Sequence, residues 1–229
     1  MQSIKWIRAN HWRFSPSNLY EKYAVASFDR RHGVDTMLDV QLSDLRFDSP
    51  NKVFGRRYHA TPPVSFKRVL ARLNVDLSAY TFIDLGSGKG RTLLIAGDYP
   101  FKQTIGVEFG EELHLQAQRN IASYKATHQS RSHSLHMDAT QFVFPEGPLI
   151  IYLFNPFGGT VLRQVLANIQ QAASASKRKI FVIYLYLEDA AILAEFECLN
   201  LLFQWRRFDV FECIAPALPN TKPIHPTAD

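Results

Sequence analysis

The apolar positions of this chain fall into short dense runs, separated by longer stretches in which they recur every third or fourth residue. Dense runs of this length read as strands covered on both faces, and the spaced ones as helices with one buried stripe. Tyr80–Leu85, Thr104–Glu108, Leu149–Phe154 and Ile180–Leu187 are the dense runs, with Ser134–Met137 a weaker one. Thr61-Pro62-Pro63 signals a helix start, with Thr61 as N-cap and proline in the first turn. Phe66, Val69, Leu70 and Leu73 then share one helical face. Leu113, Ala117 and Ile121 mark a second helix, opened by Glu111 and Glu112 where negative charge suits the dipole. Val161, Leu162, Val165, Leu166 and Ile169 mark a third, and Ala190–Phe196 a short fourth. Leu199–Arg206 and Phe208–Ala215 are joined too closely to be anything but an antiparallel hairpin. This alternation predicts an α/β fold, a mostly parallel sheet with helices on both sides.

The first 60 residues show no sustained period and read as an N-terminal extension to a domain spanning 61–229. Asp29-Arg30-Arg31-His32-Gly33-Val34-Asp35-Thr36 packs polar groups around a glycine. It reads as a solvated turn or as part of a lid over a ligand, together with Tyr58-His59-Ala60-Thr61. Pro216–Asp229 reads as a tail. Of the 229 residues, 46% are hydrophobic and 13% aromatic, which suits a packed globular protein. A net charge of +5 is too small to argue for nucleic acid. The N-terminus has no apolar signal block, the apolar runs are too short to span a bilayer, and only two cysteines occur. The expectation is a cytoplasmic protein without a membrane partner. Its histidines lack metal-ligand spacing, so no metal is expected.

The polar residues that finish the strands carry the chemistry. Asp84, Glu108, Asp138 and Asn155 each follow an apolar run, which sets all four on the rim where open α/β sheets bind ligands. Asp84-Leu85-Gly86-Ser87-Gly88-Lys89-Gly90 places three glycines within five residues directly after a strand. Glycine accepts positive φ and lets backbone approach a ligand, and the helix start that follows turns free N–H groups toward it. A phosphate-binding P-loop would need Ser or Thr after Lys89 and a glycine at Ile83. A dinucleotide fingerprint would need glycine at Arg91.

With Gly106-Val107-Glu108, Met137-Asp138-Ala139 and Asn155-Pro156-Phe157 following in order, the glycine loop resembles the first motif of class I S-adenosylmethionine (SAM) dependent methyltransferases. The resemblance covers roughly residues 61–216. It implies a Rossmann-like, doubly wound, seven-stranded sheet with an antiparallel last strand, and SAM as cofactor. It also implies that Asp84, Gly86, Ser87, Gly88 and Gly90 border the methionine and ribose portions. Glu108 would accept from the two ribose hydroxyls, Phe109 would pack on the adenine, and Asp138 beside Ala139 would accept from its amino group. For Asp138 the alternative is an ordinary helix cap, and for Glu108 a surface acid.

Asn155-Pro156-Phe157 is similar to the N/D-P-P-Y/F motif of amino-group methyltransferases, with the second proline missing. There the polar side chain holds the acceptor amine and the aromatic ring packs on it. D-L-G-S-G is also similar to a class of protein-lysine methyltransferases whose N-terminal residues, here Tyr58 and Thr61, cover the cofactor. The acceptor expected is an amino nitrogen on a protein lysine or a small amine, with RNA open as well and, because the second proline is missing, oxygen or carbon open as the acceptor atom. An NAD(P)-linked oxidoreductase and a non-catalytic SAM-binding module are the competing readings, the first because Glu108 suits any adenosine ribose.

Overall fold

The computed structural model describes residues 16–37, 59–125, 131–176 and 178–214. Tyr58, the segment before residue 16 and the tail from Pro216 lie outside the described residues. The strands are β1 (Thr81–Leu85), β2 (Gln103–Glu108), β3 (Ser132–His136), β4 (Leu149–Leu153), β5 (Ile180–Leu185), β6 (Leu199–Trp205) and β7 (Phe208–Cys213). The helices are α1 (Pro16–His32), α2 (Pro63–Arg72), α3 (Arg91–Ala96), α4 (Glu111–Ser123), α5 (Gly159–Ser176) and α6 (Ala190–Leu193).

The seven strands lie in the order β3-β2-β1-β4-β5-β7-β6. The first five run parallel, and β7 enters antiparallel between β5 and β6. This is the Rossmann-like sheet that the resemblance implied. Successive side chains on a strand point to opposite faces, and the core divides accordingly. Ile83, Leu85, Ile151, Leu153, Val182 and Tyr184 face α5 and its Val161, Leu162, Val165 and Ile169. Phe82, Ile150, Tyr152, Phe181 and Ile183 face the opposite layer, where α1, α2 and α3 bring Phe28, Phe66, Val69 and Leu94. Burying one such side chain contributes about 1.5–3 kcal/mol. Two-sided cover explains the near-continuous apolar runs.

Helix α1 has no counterpart in the sequence reading. Its inner side is Asn18, Ala24, Ser27 and Phe28, while Leu19, Tyr20 and Tyr23 are exposed. Small and polar residues carry the contact, so no apolar stripe marks it. It stops at Gly33, which takes φ +66°, and the Val34 N–H returns to the Asp29 carbonyl at 3.1 Å. That is the closing bond of a glycine-terminated helix.

Helix α2 begins one residue later than the Thr61 signal suggested. Pro62 is its N-cap residue and Pro63 its first residue. The missing cap comes from another element: Glu21 of α1 accepts from the Val64 N–H at 3.0 Å and from the Ser65 hydroxyl. Thr61 is freed for the ligand rim.

Gly106, on β2, leaves room for the loop above it. A Cβ there would lie 2.5 Å from Leu93 Cδ1 and 2.7 Å from Ser87 Oγ. Gly106→Ala is therefore expected to lower stability by ~1–3 kcal/mol through overpacking. Chemical denaturation of the purified variant checks this, and an unchanged midpoint would refute it.

Candidate functional site

Strands β1 and β4 are neighbours, but the chain leaves β1 toward β2 on one side and reaches β4 on the other. Such a reversal opens a crevice at the carboxyl ends of the strands. A recess of about 220 Å³ lies there, lined by His59, Thr61, Asp84, Gly86, Ser87, Arg91, Thr92, Tyr152 and Phe154.

Asp84 stands on the sheet face turned toward α2 and α3, one residue before β1 ends, and is 2% exposed. Burial drives its carboxyl up from 3.8 to about 8. A hydrogen bond with the Thr92 hydroxyl opposes the rise, and the charge of Glu108 adds to it. Thr92 Oγ1 in turn donates to Thr61 Oγ1 at 3.0 Å, and Thr61 is 2.9 Å from the Tyr152 hydroxyl. A chain of buried hydroxyls thus backs a carboxyl that is largely neutral at pH 7.

Gly86, Gly88 and Gly90 have φ of +82°, +53° and +81°. This backbone region favours glycine. The loop is stitched to β2, with the Gly86 and Ser87 N–H groups donating to the Val107 carbonyl at 2.9 and 3.1 Å. Glu108, 3% exposed, accepts from Gly88 N–H through one oxygen and from Gly110 N–H through the other, both at 2.8 Å. Desolvation raises its pKa, and these backbone donors with that of Phe109 hold the rise back. Phe109 is half-buried just beyond the strand, and its carbonyl accepts from His136 Nε2 at 3.0 Å.

Asn155 follows β4 with φ +41°, and its Oδ1 accepts from the Tyr184 hydroxyl at 3.4 Å. Pro156 lies against the glycine loop, close enough that a Cβ on Gly86 would meet its own Cβ at 2.4 Å. Phe157 turns into the core with α5. The aromatic rings at this rim are instead Phe154 and Tyr186, stacked with centroids 5.5 Å apart. Asp138 accepts from both the N–H and the hydroxyl of Thr140 at 2.8 Å, and so caps the turn beginning at Ala139.

The sequence reading missed how the site is held from the N-terminal side. Lys89 and Arg91 are 5% and 1% exposed. Lys89 Nζ meets both oxygens of Asp35 at 3.1 and 3.3 Å. Arg91 Nη2 meets Asp29 at 3.1 Å, its Nε donates to Thr36 Oγ1 at 2.6 Å, and its Cζ stands 4.9 Å above the Phe28 ring. Asp29 also accepts from the N–H groups of Thr36 and Met37 at 2.6 and 2.7 Å. The segment that read as a solvated turn or a lid is therefore bonded to the loop, and Thr36 is fully buried. The signal available was two basic residues inside a glycine–apolar stretch, which need acids from elsewhere. Among the described residues, two buried side-chain atoms of the recess lining have no hydrogen-bond partner, Ser87 Oγ and Arg91 Nη1.

The raised Asp84 pKa exceeds that of the unfolded chain, so its contribution to stability is full at acid pH and lost as pH rises from about 4 toward 8. Asp84→Asn removes this titration. The stability gap between Asp84→Asn and wild type is expected to shift in the variant's favour across that window and then level off. Unfolding curves recorded against pH check this, and a gap that does not vary would show that Asp84 is ionised in the fold.

No protein-family model matches this chain, and no curated protein sequence does. Solved structures do resemble it. Magnesium protoporphyrin IX methyltransferase from Synechocystis with bound SAM is 16% identical, with 67% of this chain and 79% of that one covered at a TM-score of 0.45. An RNA methyltransferase from Salinibacter ruber in complex with S-adenosyl-L-homocysteine is 17% identical, covering 70% and 96% at 0.46. A Thermoplasma acidophilum protein is 13% identical, covering 77% and 94% at 0.49. In strand order, and in the antiparallel seventh strand set between β5 and β6, the chain has the class I methyltransferase fold.

Proposed function

We propose that this protein is an enzyme that moves a methyl group from SAM to an amino nitrogen. The observation that carries the reading is the meeting of Asp84, Gly86 and Ser87 around one recess at the reversal of the sheet, with Pro156, next to Asn155, seated against Gly86. The donor set fits the cofactor. Asp84 suits an α-ammonium, which would draw the carboxyl back to its ionised form. Glu108 is oriented by Gly88 and Gly110, and each of its oxygens keeps lone-pair capacity for a ribose hydroxyl. Phe109 and Asp138–Ala139, past the ends of β2 and β3, are the residues for the adenine.

Bound SAM supplies a methyl group activated on a sulfonium. The protein's task is alignment, because a displacement at carbon needs the acceptor lone pair in line with the leaving sulfur. Asn155 Oδ1 would accept an N–H of the incoming amine beside the bond it already accepts from the Tyr184 hydroxyl. Pro156, seated against Gly86, keeps the acceptor rim in register with the loop. Phe157 anchors this turn in the core, and Phe154 with Tyr186 forms the aromatic wall for the acceptor. A protein lysine or a small amine meets these requirements, and RNA is the remaining substrate class to test.

Calorimetric titration with SAM and S-adenosylhomocysteine tests the cofactor, and binding of NADH in their place would sink the reading. Glu108→Ala is expected to weaken SAM binding by ~1–3 kcal/mol, the cost of an unpaired diol. Unaltered affinity would refute the ribose role. Asn155→Ala is expected to slow methyl transfer to amine acceptors about tenfold or more with SAM affinity kept, the loss of one hydrogen bond at the reacting group. Labelled-methyl incorporation into lysine peptides, small amines and RNA measures this, and unchanged turnover would remove Asn155 from the mechanism.

A further inference from the structure

The chain has two cysteines, and the fold brings them together. Cys198 lies in the turn that leads from α6 into β6, and Cys213 closes β7. Across the ladder Cys213 pairs with Leu199, the residue after Cys198, and the Ile214 N–H donates to the Cys198 carbonyl at 2.9 Å. Both side chains turn into the core layer that β4, β5 and α5 share, and each is 1% exposed. The Cys213 thiol donates to Cys198 Sγ at 2.8 Å. The ladder already holds the two backbones side by side, so only a short approach of the sulfurs separates the thiols from a bond. Their hydrogen bond also divides their acidity. It lowers the pKa of Cys198 and, with burial, raises that of Cys213. Cys198 is the partner that reacts as a thiolate, and Cys213 the one that follows. The place matters as well. The last strand, β7, sits between β5 and the edge strand β6. At its turn this hairpin is held by Arg206, which bonds Asn18 and Ser17 of α1. At its open end the two thiols face each other.

We propose that Cys198 and Cys213 form a modification site, a thiol pair that low-molecular-weight disulfides such as oxidised glutathione convert into a reversible cross-link. The Cys198 thiolate attacks one sulfur of the glutathione disulfide, whose S–S bond breaks as one glutathione thiolate leaves. Cys213 then gives up its proton, its sulfur attacks the mixed disulfide at Cys198, and the second glutathione leaves. Two protein thiols are oxidised by two electrons, one disulfide is reduced to two thiols, and two protons pass to the departing thiolates. The sulfurs are buried, so the reagent reaches them when the open end of the hairpin parts, and the end of an edge strand opens at lower cost than the middle of a sheet. Once formed, the bond closes the loop from 198 to 213 and ties β7 in place between β5 and β6. The site acts on the sheet and does not depend on a cofactor.

The test incubates the folded full-length protein with oxidised and reduced glutathione over a series of ratios, blocks remaining thiols under denaturing conditions and reads the intact mass. Wild type is expected to lose two hydrogens, to retain no glutathione and to take up no blocking reagent, with peptide mapping joining Cys198 to Cys213. Its Tm is expected to rise by about 5 °C or more over that of the reduced protein, as for a closed loop of this size. Dithiothreitol is expected to reverse the rise, quickly in urea that parts the hairpin and slowly without it. Cys198→Ser and Cys213→Ser are each expected to show no rise in Tm under the same oxidation. The wild-type reading stands even where neither variant folds. Two free thiols in wild type at every ratio would overturn the proposal. Glutathione held on one cysteine without closure of the ring, or linkage between molecules alone, would overturn it equally.

Discussion

Two cations leave the glycine loop and enter the protein, and their charge is answered by carboxylates from far upstream in the chain. Asp35 reaches Lys89 across 54 residues, and Asp29 reaches Arg91 across 62. Removing one partner of a buried pair costs about 3–5 kcal/mol, because the other charge is left without compensation. Asp35 is about half exposed, so the Lys89 pair is the weaker of the two. Asn120 of α4 completes the arrangement. Its amide donates to the carbonyls of Asp35 and Lys89 at 2.8 Å, and accepts from the Asp35 N–H at 2.9 Å. The loop is thus gripped by three elements, and its left-handed glycines are held by more than the strand they follow.

Burial pushes the Asp84 carboxyl up to about 8, the charge of Glu108 adds to the rise, and the Thr92 hydroxyl only partly opposes it. Gly86 and Pro156 touch, which couples the loop after β1 to the turn after β4. The two halves of the proposed reaction, cofactor and acceptor, therefore share one rigid wall.

Much of this was legible in the amino-acid order. Strands covered on both faces announce themselves as apolar runs, and the polar residues closing Tyr80–Leu85, Thr104–Glu108 and Leu149–Phe154 do fall at the carboxyl ends of β1, β2 and β4. The parts that were not legible share a physical cause, which is that their contacts are not apolar. Helix α1 docks through Asn18, Ser27 and the Glu21 carboxylate, and such residues carry no period. Thr61 looked like a helix cap, but Glu21 does that work from another helix and Thr61 joins the hydroxyl chain to Tyr152. Asp29 to Thr36 had the composition of a surface turn, and Arg30 to Gly33 are indeed exposed; what the composition did not show is that Asp29, Asp35 and the buried Thr36 bond to Arg91 and Lys89. Phe157 was read by motif position, whereas the turn at Asn155, with its positive φ, sends it into the core.

Helix α1 also reaches the far end of the described chain. Arg206, in the turn between β6 and β7, donates to Asn18 and to Ser17, a contact spanning 188 and 189 residues. During synthesis the N-terminal segment emerges first, yet its partners in the loop and in the final hairpin are made tens to nearly two hundred residues later. Contacts of such long sequence separation close slowly, because loop entropy must be overcome before they form. A chain without helix α1 and the segment after it would leave the Arg91 guanidinium and the Lys89 ammonium without the carboxylates that answer them.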